Sequence, residues 1–199
     1  QACNQTFGEV SDIDGNVYDT IVIGTQVWMV QNLKTTHYND GSAIPTGLSD
    51  IDWSSTTDGA YAIYDNNAVN DTIYGKLYNW YAVNTGKLAP AGWHVPSDSE
   101  LITLTTYLGG LYIAGGALKA TTLWSSPNTG ATNSSGFTAL PAGLRRPDYG
   151  YNLIGTRSFF WSSTEVNPNY SWCFALTEFN AYFSYSGNKK IVGFSVRCV

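Results

Sequence analysis

Charge is scarce in this chain. Only 13% of its 199 residues are charged, about half the usual share, and they sum to a net charge of −5 at neutral pH. The lysines are mostly scattered, and among the arginines only Arg145 and Arg146 adjoin. Without a basic stripe to track a phosphate backbone, nucleic acid is excluded as a partner. Cysteine is nearly missing as well. Cys3, Cys173 and Cys198 are the only three, and their spacing is not of the CxxC kind, which removes zinc. No apolar stretch approaches the ~18 residues that a membrane span requires. Two histidines, His37 and His94, leave little material for acid–base catalysis.

Rings and small polar side chains fill the space that charge leaves. Aromatic residues reach 15%, with 7 Trp and 14 Tyr. A chain so rich in aromatics and poor in charge is not disordered, and 199 residues suffice to bury one full core without staples. Residues 1–10 read as a leader and residues 11–199 as a single domain. The odd cysteine count leaves at least one thiol unpaired. A Cys3–Cys198 bond tying the two ends is the expected pairing, with Cys173 free, although the sequence leaves the pairing open. Cys3 also lies near a possible lipidation signal, so a lipid anchor or attachment to a larger surface protein stays open.

Local patterns give the order of elements. Val17–Ile23, the turn Gly24-Thr25-Gln26 and Val27–Val30 read as a hairpin. The preceding Asp12-Ile13-Asp14-Gly15-Asn16 resembles half a calcium loop but lacks the later Glu, so it reads as an ordinary turn. Asp65-Asn66-Asn67 and Asn70-Asp71 likewise read as solvated turns; calcium is the one cofactor left open. Tyr74, Leu77, Tyr78 and Tyr81 have helical spacing, predicting a helix over residues 74–83. Ser97 followed by Glu100 forms a capping box that opens a second helix, from about 97 to 108, with Leu101, Leu104, Tyr107 and Leu108 as its apolar stripe and Gly109-Gly110 as its stop. A short helix follows at Ala117–Ala120. Strands are expected at Gly136–Leu140, Ser158–Ser162, Trp172–Leu176, Ala181–Tyr185 and Val192–Val199. A hairpin, two main helices and then short antiparallel strands with long loops make an α+β layout.

Six segments in order, VYDTIVIGTQVWMVQNL, YGKLYNWYAV, GWHVPSDSEL, GFTALPAGLR, FWSSTE and GFSVRCV, resemble the Fibrobacter succinogenes major paralogous domain. That family is common in surface and secreted proteins of Bacteroidetes and their relatives. The resemblance implies a C-type-lectin-like fold, related to the formylglycine-generating-enzyme group, with N- and C-terminal strands adjacent. It also implies a secreted or cell-surface, outer-membrane-associated location. Leu101 stands where such proteins often carry Trp. Many relatives place Cys where Ala89 or Val27 stands here, which is a further reason to look to Cys3 as the partner of Cys198.

Catalysis is not expected. His94, beside a helix cap, reads as a structural histidine donating to a backbone carbonyl. His37 has no partner implied by spacing. Cys173 and Cys198 lack the arrangement of a reactive pair, and Glu165 with Glu178 has no supporting glycosidase motif. Binding is expected at residues 165–191. Alternation puts Trp172, Phe174 and Leu176 on one face and Cys173, Ala175 and Thr177 on the other. The stretch from Phe179 to Tyr185 carries aromatics on both faces, more than one core absorbs. The expected ligand surface comprises Tyr170, Cys173, Ala175, Thr177, Glu178, Phe179, Tyr182, Phe183, Tyr185 and Asn188, and its ligand is a glycan or a protein. Residues 166–191 also resemble the variable part of lectin-like proteins diversified by retroelements. A structural module of a surface assembly is the other alternative.

Overall fold

The computed structural model describes residues 7–199, and Cys3, with its expected bond to Cys198, lies outside them. The architecture is mixed α+β. The predicted hairpin forms as β2 (Val17–Ile23) and β3 (Gln26–Met29). Residues 7–10, expected as leader, instead belong to strand β1 (Phe7–Ser11), which pairs antiparallel with β2 from Phe7↔Ile21 to Ser11↔Val17.

The helix predicted over 74–83 does not form. Helix α1 (Asp50–Ser55) and strand β4 (Tyr61–Ala62) come first, then α2 (Ala68–Tyr74), which ends at Gly75 in a positive-φ conformation. The chain then pairs as strand β5 (Leu77–Tyr78) with β4, and Tyr78 also exchanges both backbone bonds with Phe194. Only afterwards does it turn into α3 (Trp80–Asn84), capped by the Asn79 side chain accepting from the Ala82 N–H. The helical spacing of the aromatics is real, but long-range pairing wins, because Tyr78 and Trp80 are both needed in the core.

The second predicted helix is borne out as α4 (Asp98–Tyr107), with both halves of the Ser97/Glu100 capping box made. Leu101 and Leu104 are buried, whereas Tyr107 lies on the exposed side. The short helix falls slightly earlier than expected, as α5 (Ala114–Leu118). Its Ala-Gly-Gly-Ala sequence lets other backbone approach closely. A Cβ on Gly115 would sit 2.4 Å from the Tyr182 carbonyl oxygen, and one on Gly116 would sit 2.4 Å from that of Gly130.

The second half forms a five-stranded sheet in the order β10-β9-β8-β6-β7, from β6 (Ala142–Arg146), β7 (Gly150–Ile154), β8 (Arg157–Asn167), β9 (Tyr170–Thr177) and β10 (Ser184–Lys189). All its pairings are antiparallel except β6 with β8, which is parallel at Gly143↔Ser158. The β6–β7 hairpin was not expected. Gly136–Leu140 is not a regular strand, though Phe137 and Ala139 are buried and Ala139 bridges to Lys119. Of Ala181–Tyr185 only the end is strand. Val192–Val199 is extended but joined to its neighbours by isolated bridges. Its end lies beside the N-terminal sheet, the Met29 N–H donating to the Cys198 carbonyl and the Leu33 N–H to that of Val196.

Arg197 anchors this last segment. Fully buried, its guanidinium donates to Asn32 Oδ1 from two nitrogens, at 2.7 and 3.2 Å, and to the carbonyls of Met29 and Phe137. It also lies 4.4 Å from the Phe137 ring centroid, where the ring's negative face favours a cation. Arg197→Met keeps the volume but strands these acceptors. The expected loss is roughly 2–4 kcal/mol, a fall in melting temperature of roughly 5–15 °C for a chain of this size, read by calorimetry.

Candidate functional site

The expected ligand surface divides into three parts: rings on one sheet face, a pinned loop, and a separate groove. Side chains alternate across a sheet, and the register fixes which share a face. Phe160, Phe174 and Tyr185 stand in one row, and Phe159, Ala175 and Ser184 in the next, on the opposite face. In the first row Phe174 stacks on Phe183 at 5.1 Å, Tyr185 lies 5.9 Å from Phe174, and Trp172 lies 5.4 Å from Tyr185. Phe183 and Phe174 are sealed in the core, while Tyr185 is 51% exposed. Buried rings therefore support the exposed Tyr185.

Tyr182 extends this cluster. It is 44% exposed and meets the 75% exposed Tyr112 edge-to-face at 5.3 Å. Leu111, Tyr112, Tyr182, Phe183, Ser184 and Tyr185 line a shallow depression of about 220 Å³. Phe179, 64% exposed, projects from the preceding loop. Tyr112 was missed from sequence; its one signal was a large ring following the Gly109-Gly110 helix stop.

Lys119 holds that loop in place. Its buried ammonium donates to the carbonyls of Thr129, Thr177 and Asn180, each at 2.9 Å. Burial lowers its pKa, while Glu178 pulls the other way. The Phe183 N–H bonds the Leu111 carbonyl and completes the attachment.

Three expected surface residues are corrected by burial. Cys173 packs with Trp161 and Phe194 in the core and accepts from Asn188 Nδ2 at 2.9 Å; burial pushes its thiol up to about 11. Phe183 and Glu178 are buried too. Ala175 and Thr177 are half-buried. Tyr170 and Asn188 do not join the rings; they line a separate groove with Arg146, Arg157, Phe159 and Lys189, all missed from sequence.

The histidines are each tied to a carboxylate. His94 Nε2 lies 2.7 Å from Glu100 Oε1, so its partner is the capping carboxylate and not the expected backbone carbonyl. Burial alone would raise the Glu100 pKa, but donors from Ser97 and His94 hold it below its ordinary value. His37 Nδ1 lies 2.6 Å from Asp14 Oδ1. Asp14 also accepts from Thr35 and Thr36, and these bonds outweigh its partial burial and keep it well below the usual carboxylate range. Asp12, the other acid of that turn, accepts from Asp14, Asn16 and Tyr18. Burial raises the Cys198 thiol to about 12. Among the described residues no group of three or more His, Cys, Asp or Glu is arranged to hold a metal, and no helix is long and apolar enough to cross a membrane.

Fold and surface thus define an α+β domain whose last strands carry a ring cluster and a separate groove. The chain belongs to the Fibrobacter succinogenes major domain family, whose profile matches residues 21–199. No curated protein and no solved structure shows significant similarity to it.

Lys119→Met leaves three carbonyls without their donor. It should destabilise the domain by roughly 2–4 kcal/mol and speed amide exchange in residues 178–182. Unchanged exchange there would show that Lys119 does not hold the loop.

Proposed function

We propose that this domain is a non-catalytic extracellular recognition module of C-type-lectin-like fold, secreted or displayed at a bacterial surface. Its ligand, a glycan or a protein, docks on the rings of Tyr112, Trp172, Tyr182 and Tyr185. One observation carries this reading: four of the five aromatics expected at the surface, Tyr170, Phe179, Tyr182 and Tyr185, are exposed, and Tyr185 rests on the buried Phe174–Phe183 stack. Tyrosine and tryptophan offer large rigid contact area at low entropy cost, and they stack on the apolar faces of sugars. A ring held against a packed neighbour has already lost its freedom before the ligand arrives, which favours affinity.

A non-catalytic role is supported by the chemistry of the polar groups. Both histidines are committed to carboxylates, and both described thiols are buried with raised pKa values. The diversified-protein reading has less support, because Cys173, Glu178 and Phe183 pack inside the domain, where free variation would disturb the core.

The test is a glycan array and a surface-protein library probed with the full chain, beside Tyr182→Ala and Tyr185→Ala. Binding to a defined ligand that falls roughly tenfold or more in each variant, the scale of truncating a central aromatic contact, supports recognition. Silence across both collections favours a purely structural module.

A further inference from the structure

The chain has ten cations, and eight are engaged by partners of their own. Lys76, Lys87 and Lys190 pair with Asp71, Asp40 and Glu165. Arg145 is held by Asp50 and the Leu48 carbonyl, and Lys34 by the Thr72 carbonyl. Lys119 and Arg197 are buried among carbonyls and an amide oxygen, as described above. The Arg146–Asp148 pair and the two cations that remain, Arg157 and Lys189, line the same groove. Arg146 has only Asp148, at 3.3 Å, and the Tyr149 ring beside it. Among the described residues the side chains of Arg157 and Lys189 have no partner, and both are exposed. In a chain of net charge −5, this is where positive charge is left unspent.

The groove has the form of a ligand site. Its volume is about 430 Å³, within the ~300–1,000 Å³ typical of small-ligand pockets. The floor is apolar, made by Leu144, Leu153, Phe159, Val192 and Phe194, with the rings of Phe159 and Phe194 stacked at 4.9 Å. Tyr170 and Asn188 also line the groove. The Asn188 nitrogen donates inward to Cys173 and Ser186, so its oxygen is left to accept from a ligand hydroxyl.

We propose that this groove is a second binding site, distinct from the ring cluster, and that it takes an acidic saccharide. A carboxylate accepts two parallel bonds from an arginine fork, and Lys189, at the opposite end of β9 from Arg157, offers a point charge to a second carboxylate of the saccharide chain. The sugar's apolar face lies on Phe159, and its hydroxyls meet Tyr170 and Asn188.

Calorimetry with an oligogalacturonate, on the full chain, tests this. The acidic oligosaccharide should bind, and Arg157→Gln and Lys189→Gln should each weaken it roughly tenfold, the effect of one charge-assisted bond. Lys87→Gln, an equal loss of charge outside the groove, should leave binding intact. A neutral galacto-oligosaccharide of the same length should bind far more weakly, and raising salt from about 50 to about 500 mM should reduce the acidic interaction. Because these side chains are exposed, unchanged melting verifies folding. Absent binding, equal affinity for the neutral sugar, insensitivity to both groove variants, or equal affinity for an oligoglutamate peptide would each overturn the proposal. None of these results depends on Tyr182 or Tyr185, so the groove and the ring cluster stand or fall separately.

Discussion

The segment from Gly193 to Val199 is the seam on which the structure closes. In seven residues it makes backbone hydrogen bonds with Arg145 of β6, Tyr78 of β5, Phe159 and Trp161 of β8, Met29 of β3, Leu33 just beyond it, and His94 before α4. No single ladder is formed, yet every separate layer meets the others here. The segment is almost wholly buried and carries Phe194, Val196 and Cys198 into one core and Arg197 between the rings of Phe137 and Phe160. A buried cation without a carboxylate is costly unless its donors are satisfied; here Asn32 and two carbonyls satisfy them.

A scaffold closed in this way can display irregular loops without losing their shape. The 177–183 stretch has almost no regular structure, but Lys119 gathers its carbonyls, the glycines of α5 let its backbone lie close, and Phe183 plugs it into the core. What projects from it, Phe179 and Tyr182, is therefore presented at fixed positions. Elsewhere on the sheet a groove runs from Arg157, opposite Thr177 at one end of β9, to Tyr170 and Lys189 at the other. Two kinds of recognition chemistry, aromatic and cationic, are thus carried by one sheet.

The parts legible in the sequence are those whose chemistry is local. A capping box satisfies its own backbone donors, so Ser97 and Glu100 mark α4 without help from elsewhere. The hairpin of β2 and β3 is similarly written in its turn and its β-branched run. The aromatic surplus near the C-terminus correctly implied exposed rings, because a single core has finite room. What it left open was which rings. Phe183 and Tyr182 are neighbours in sequence, and only the packing of α5 and Phe174 sends one inside and the other out. The β5 segment was read as helix because Tyr78 finds its partners, Tyr61 and Phe194, far away along the chain. The groove was invisible for the same reason: nothing near Arg157 in sequence says that it will line a groove with Lys189.

Native-state hydrogen exchange tests the central claim, that the last segment locks a rigid scaffold. The account predicts that the amides of Gly193, Phe194, Ser195 and Val199 exchange only through global unfolding, as slowly as Trp161 of β8. Faster exchange of these four while β8 and β9 stay protected would mean that the seam opens independently, and would contradict it.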